Sequence, residues 1–329
     1  LAGPNQYAPM AGMQELRQAI VAKVAALYGT RFDAESEVTV TAGATQAIFT
    51  AIAAFVRPGD EVIVFAPVYD SYVPAIETVG GTAVYAQLQF PDYASDWAQV
   101  AQLITPRTRM IIINSPHNPT GSLLTAVDLE KLAELVRGTD IVVLSDEVYE
   151  HILFDGERHA SVAGHGELAP RSIVVSSFGK TYHITGWKIG YVVGPAALMA
   201  EFRKVHQFNV FTVHTPSQLA LAEYMQDAAR HLGLATFYEE KRDFFRALLA
   251  DTPFELLPCR GTYFQLASYR AISDLPDRAF AEWMTREVGV AVIPVSVFYA
   301  DGRDDRVVRF CFAKNEETLV AAGERLRRL

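Results

Sequence analysis

Six short runs govern what this chain can fold into: "EVTVTAG", "EVIVFAP", "RMIIINSP", "DIVVLSDE", "SIVVSSFGK" and "KIGYVVG". Each is rich in Val and Ile, and most are apolar almost without interruption instead of alternating with polar residues. Strands covered on both faces read this way. Helical patterns such as "ATQAIFTAIAAFV" and "AVDLEKLAELVRG" lie between several of them. Strand, helix, strand repetition predicts an α/β fold, a mostly parallel central sheet with helices on both faces. Ahead of the first run, "GMQELRQAIVAKVAALYG" predicts an amphipathic helix, with Leu16, Ile20, Val24 and Leu27 at helical spacing and Gly29 as its stop.

After about residue 215 the pattern changes. "PSQLALAEYMQD" and "FYEEKRDFFRALLADT" are helical, and the charges of "FYEEKRD" are expected on a solvated face. "FELLPCRGTYFQLASY", "GVAVIPVSVF" and "DRVVRFCFA" predict short strands. "NEETLVAAGERLRRL" predicts a closing helix with Leu319, Ala322 and Leu326 turned inward. A chain of 329 residues exceeds one typical core. The expected division is a large domain over 1–222 and a smaller α+β domain over 223–329, with no repeat or low-complexity linker.

Composition excludes several functions. A formal net charge of -9 leaves no basic footprint, so no nucleic-acid partner is expected. No apolar run reaches the ~18 residues that span a bilayer, so no membrane partner is expected either. Cys259 and Cys311 make no disulfide framework and no metal spacing, which predicts a cytoplasmic protein. His117, His183, His206 and His214 also lack metal spacing and read as structural. The start, "LAGPNQYAPMAGM", carries no signal-peptide pattern, and the chain reads as beginning inside a longer protein.

In open α/β sheets ligands bind beyond the carboxyl ends of the strands. Polar groups collect there after five of the runs: Gly43-Ala44-Thr45, Tyr69, Asn114 to Gly121, Asp146 to Tyr149, and Ser177 to Lys180. A helix starting after Gly43 offers free backbone N–H groups to an anion. Ser177 and Lys188 add a hydroxyl and a charge, Asp146 and Tyr149 an acid and a phenol, Tyr69 an aromatic face, and Lys180 a reactive amine. A phosphorylated, planar, cationic heteroaromatic aldehyde satisfies all of them, and that ligand is pyridoxal 5′-phosphate.

"NSPHNPTG", "SDEVYE", "SSFGKTYHITGWKIGY" and "VVRFCFAKNEETL", in this order, resemble the class I aminotransferases of fold type I. Within them the chain is most similar to the kynurenine/glutamine transaminase K subgroup and its bacterial methionine aminotransferases. The likeness runs from "NQYAPMAGMQELRQAI" to the C-terminus and leaves out the family's upstream arm. It implies that Lys180 bonds the cofactor aldehyde and moves the substrate proton, and that Asp146 pairs with the pyridinium N–H. It gives Asn118 and Tyr149 to the 3′-oxygen, Tyr69 to the ring face, and Ala44, Thr45, Ser177 and Lys188 to the phosphate. Arg309 matches the arginine for the substrate α-carboxylate, beside Asn118. Tyr7 and Phe211 match positions that cross to the partner's phosphate and substrate pocket, which implies a homodimer with shared sites. The activity implied is ping-pong transamination from an apolar or aromatic amino acid, methionine foremost, to a 2-oxo acid. A carbon–sulfur β-lyase, and the effector domain of an aminotransferase-like regulator, are the alternatives the sequence leaves open.

Overall fold

The computed structural model describes residues 3–329. The six runs all form strands of one seven-stranded sheet: β1 (Val38–Thr41), β2 (Glu61–Ala66), β4 (Thr108–Asn114), β5 (Val142–Asp146), β6 (Ser172–Ser177) and β7 (Gly190–Val193). The seventh member, β3 (Thr82–Gln87), lies at the edge beside β2. Spatial order is β1-β7-β6-β5-β4-β2-β3. Every residue of β1, β2, β5 and β7 is buried, as uninterrupted apolar runs require. Strand β3 has one buried residue, and its mixed "TAVYAQ" carries no such signal; it is the less covered of the sheet's two edges, since β1 at the other is fully buried.

The sheet is parallel except for β7, which runs antiparallel to both β1 and β6. This exception places the chemistry. Gly190, the first residue of β7, pairs with Ser177 at the end of β6 and with Thr41 at the end of β1. The chain therefore leaves the carboxyl edge at Ser177 and returns to the same edge at Gly190. Lys180 and Lys188, eight residues apart in sequence, are held on one rim for that reason.

Helix α1 (Gln14–Tyr28) buries Leu16, Ile20 and Val24 as expected and ends at Gly29, which takes a left-handed φ of 75°. Helix α2 (Gly43–Phe55) packs across β5, β6 and β7 with Ile48, Ala51 and Ile52 buried. A second core unites Leu234, Tyr238, Phe245 and Leu249 of the helix Leu234–Leu249 with Leu319 and Leu326 of the closing helix Glu316–Leu326. It also includes Tyr149, Ile152 and Phe154, so residues just beyond β5 anchor it. The division expected between residues 222 and 223 falls inside the helix Thr215–Tyr224.

The C-terminal sheet has four strands, antiparallel throughout: β8 (Glu255–Leu256), β9 (Phe264–Ser268), β10 (Ile293–Pro294) and β11 (Val307–Cys311), in the order β10-β11-β9-β8. "GVAVIPVSVF" is a strand only at Ile293–Pro294, and Val295–Phe298 forms a 3₁₀ turn. Pro294 has no N–H to extend a ladder, and the next residues turn away from it. The charges of "FYEEKRD" are not all solvated. Arg242 is buried, forks onto Asp155 at 2.6 and 2.8 Å, and lies over the ring of Phe154.

Candidate active site

One cavity of about 270 Å³ opens at the carboxyl edge of the large sheet. Ala44, Thr45, Tyr69, Asn118, Asp146, Tyr149, Ser177, Lys180 and Lys188 all line it. Nine side chains expected from sequence, spread over 145 positions, thus meet around a single space.

Its floor begins where α2 starts. Gly43 has φ +79°, and the backbone of β7 comes so close that a Cβ on Gly190 would stand 3.1 Å from the carbonyl carbon of Gly43 and 3.2 Å from the nitrogen of Ala44. A side chain at 190 would also stand 2.6 Å from the Ser176 carbonyl oxygen, so only glycine fits this crossing. Lys188 itself is in the left-handed region, φ 55°, which brings its Nζ over the start of α2, 3.7 Å from where a Gly43 Cβ would be. The Ser177 hydroxyl caps the short turn that carries Lys180, accepting from the Gly179 N–H at 3.2 Å. Helix N–H groups, an ammonium and a hydroxyl therefore converge, the usual composition of a phosphate cradle.

Asp146 is 3% exposed. Burial pushes its carboxyl up to about 6, against hydrogen bonds from the Tyr72 hydroxyl at 2.6 Å and the Val148 N–H at 3.3 Å. Among the described residues it forms no ion pair. Lys180 acts on this acid only at a distance, so a cationic N–H from a ligand would be its direct partner. Burial and the charge of Asp146 hold the Tyr72 hydroxyl well above its ordinary value, so Tyr72 donates and does not take a proton. Asn114 fixes the neighbouring loop: its amide donates to the Asp146 carbonyl at 2.9 Å and its oxygen accepts the Asn118 N–H at 2.8 Å.

Arg309, from β11, stands one side chain behind the cavity. It donates to the Asn118 side-chain oxygen at 2.6 Å and lies over the ring of Phe264, 4.0 Å from its centre. Burial lowers the guanidinium from its ordinary value, with no carboxylate bonded to it. Lys180 meets a residue that sequence reasoning missed: its Nζ donates to the Tyr263 hydroxyl at 2.8 Å. Tyr263, Tyr72 and Asn114 belong to no quoted role because the contacts that define them cross 83, 74 and 32 residues of sequence. "GTYF", with an aromatic pair just ahead of a strand, was the one available signal for Tyr263.

Tyr7 and Phe211 do not reach this cavity in their own chain. They pair edge to face at 5.6 Å on the surface, where Tyr7 is 79% exposed. The histidines serve local structure. His117 shares a hydrogen bond with Thr120 at 2.8 Å, and burial lowers it to about 3. No group of three metal-ligating side chains occurs among the described residues, and no helix there is long and apolar enough to cross a membrane.

The cavity fits pyridoxal 5′-phosphate at each of its parts: an anion cradle at the start of α2, a buried acid without an ion pair at Asp146, the Tyr69 ring on the wall, and the Lys180 amine. The family model for aminotransferase class I and II matches residues 3–326. A methionine aminotransferase of Escherichia coli is 52% identical over 99% of this chain and 85% of its own length. A probable N-succinyldiaminopimelate aminotransferase of Mycobacterium tuberculosis is 40% identical over 98% and 85%. The solved structure of an Escherichia coli protein with methionine aminotransferase function superposes with a TM-score of 0.97 at 52% identity, covering 99% of this chain and 86% of that one.

Proposed function

The chain belongs to the class I and II aminotransferases, pyridoxal-phosphate enzymes that move an amino group from an amino acid to a 2-oxo acid, and we propose that methionine is its favoured donor. The observation that carries the reaction is the meeting in one cavity of the Lys180 amine, the buried Asp146 carboxylate and the start of α2. Methionine rests on the 52% identity to an enzyme of that name and on the lining, which includes Tyr69, Tyr149 and Phe264 and no arginine.

The bound cofactor supplies an aldehyde that bonds amines and a ring that takes up the electron pair left when the Cα proton departs. The protein's residues do the rest. Ala44 and Thr45 N–H groups, the Ser177 hydroxyl and Lys188 hold the phosphate. Asp146 accepts the ring N–H, and its ionised form is stabilised by that contact. Tyr69 covers the ring, and Asn118 and Tyr149 bond the 3′-oxygen. Burial keeps the Tyr149 phenol well above its ordinary value, so it acts as a neutral donor there. Arg309 takes the substrate α-carboxylate, aimed by its bond to Asn118. Lys180 Nζ, freed when the amino acid arrives, takes the Cα proton.

The working enzyme is a cytoplasmic homodimer in which Tyr7 and Phe211 reach the partner's cavity. Exposed Tyr7, Phe208 and Phe211 support this, since large aromatics bare on a monomer mark an interface.

The test is a half-reaction. L-methionine added to the loaded enzyme should bleach the yellow band of the bound cofactor, and a 2-oxo acid should restore it. L-aspartate, whose second carboxylate finds no arginine on the lining, should react at least tenfold more slowly. Faster turnover of aspartate than methionine would overturn the substrate assignment, and a colour indifferent to every amino acid would overturn the reaction.

A further inference from the structure

We propose that Tyr263 is a positioning residue for Lys180, holding its amine in place whenever that amine is free. The inference rests on the transamination reading above and assigns to it a residue outside the motifs. Lys180 has to serve in two conditions, bonded to the cofactor and released. Once released, a flexible four-carbon stem carries the amine, and proton transfer needs it within hydrogen-bond reach of Cα. Something must restrict it. The Tyr263 hydroxyl accepts from Nζ at 2.8 Å, and Tyr149, the next phenol, lies 3.5 Å further on, oxygen to oxygen. Nζ also stands 5.5 Å from the centre of the Tyr263 ring and 5.8 Å from that of Tyr149, so two aromatic groups flank it.

The chain is built to deliver this hydroxyl. Tyr263 lies just ahead of β9, in the other sheet, and reaches the large sheet's rim through the turn at 260–262. Thr262 in that turn has φ 67°, a strained conformation for a β-branched residue, and it is fully buried. The strain is held by the surroundings. The Thr262 N–H donates to the Ile152 carbonyl at 3.0 Å, and the Arg260 N–H to the Gly121 carbonyl at 3.1 Å. A Cβ on Gly261 would stand 2.8 Å from Pro116 and 2.9 Å from the Ile152 carbonyl oxygen. The Tyr263 carbonyl accepts the Phe312 N–H at 3.1 Å. The turn is thus pinned to "NSPHNPTG", to the segment after "SDEVYE" and to the strand of Arg309. Each of these carries or directly adjoins a site residue, so Tyr263 is registered against all of them. Strain kept at a buried turn beside a reacting amine is the pattern expected of a functional constraint.

Tyr263→Phe removes one oxygen and keeps the ring packed against Tyr149, Phe264 and Tyr238. Tyr238→Phe is the control, because its hydroxyl bonds His183 at 3.3 Å and not Lys180. The first readout needs no activity. In enzyme stripped of pyridoxal phosphate, acetic anhydride labelling of Lys180, normalised to Lys188 in the same sample, should be at least threefold faster in Tyr263→Phe and unchanged in Tyr238→Phe. The second uses loaded enzyme and α-deuterated L-methionine. Single-turnover proton transfer should slow at least tenfold in Tyr263→Phe, with a larger isotope effect and a methionine Kd within about twofold. An unchanged labelling ratio, the same change in Tyr238→Phe, or a slowing without a rise in isotope effect would each overturn the proposal. Because labelling is read without substrate, a wrong donor assignment would leave it standing and would show only in the half-reaction.

Discussion

Asp146 shows how one residue's chemistry follows from where the sheet puts it. In the chain by itself, burial raises the carboxyl to about 6, against roughly 3.9 for an exposed Asp. A raised value means that the folded chain prefers the acid protonated. Its stabilising contribution is full below about pH 4 and is lost as pH rises through about 6, to a total of about 3 kcal/mol. A cationic ring N–H held beside it would reverse that preference, so cofactor binding would draw the proton off Asp146. Affinity for pyridoxal phosphate should therefore fall about tenfold per pH unit below about 6. The phosphate titrates in the same range, near pH 6. The measurement is thus the ratio of Kd values for wild type and Asp146→Asn between pH 5 and 8. The ratio should be flat above about 6 and close steadily below it; a flat ratio throughout would mean that Asp146 is not the ring's partner. That Lys180, Asp146, Ala44, Thr45 and Ser177 share one cavity was legible in sequence because each ends or follows an apolar run, whereas Lys188 opens one and was expected there only from the resemblance. Tyr263 and Tyr72 were not, because their roles lie in partners brought together only by the fold.

Among the elements, α1 is tied to β6 and β7, the strands that flank the Lys180–Lys188 segment, by a buried ion pair that no motif announced. Lys23 of α1 donates to Glu150 at 2.7 Å and to the Tyr191 hydroxyl of β7 at 2.9 Å, and Glu150 also accepts from Ser176 of β6 at 2.6 Å and from Tyr28. Burial alone would raise the Glu150 carboxyl and lower the Lys23 amine. The mutual charge and these bonds more than offset it, so Glu150 stays below its ordinary value and Lys23 above. Breaking such a pair from one side strands a buried charge, at about 3–5 kcal/mol. Glu150→Gln and Lys23→Met should each cost that much in urea unfolding, while the double variant should cost less than their sum by about 2 kcal/mol. Strictly additive losses would show that the two side chains do not work as a pair. Elements themselves were readable where burial was complete. Strand β3 escaped because an edge needs no continuous apolar run, and the 3₁₀ turn after Pro294 escaped because backbone chemistry overrode a favourable strand composition.

For the whole molecule, the site's geometry poses a question of arithmetic. The cavity gathers nine of the twelve expected cofactor and substrate side chains, and Arg309 stands one step behind it, while Tyr7 and Phe211 sit together outside. Two aromatics that leave their own cavity yet match site positions make sense if a second copy supplies them. Hybrid dimers carrying two affinity tags decide this. One protomer bears Lys180→Ala and the other Tyr7→Ala. If Tyr7 completes the partner's cavity, one site of the hybrid holds both lesions and the other holds none, so the hybrid should keep about half of wild-type activity. It should also bind one equivalent of pyridoxal phosphate with wild-type affinity. If each chain completes its own cavity, every site of the hybrid carries one lesion, and activity should not exceed half that of the Tyr7→Ala homodimer. The Tyr7→Ala homodimer itself should lose about tenfold or more in cofactor affinity, the weight of one hydrogen bond to a charged group. Wild-type affinity in that homodimer would remove Tyr7 from the phosphate site altogether.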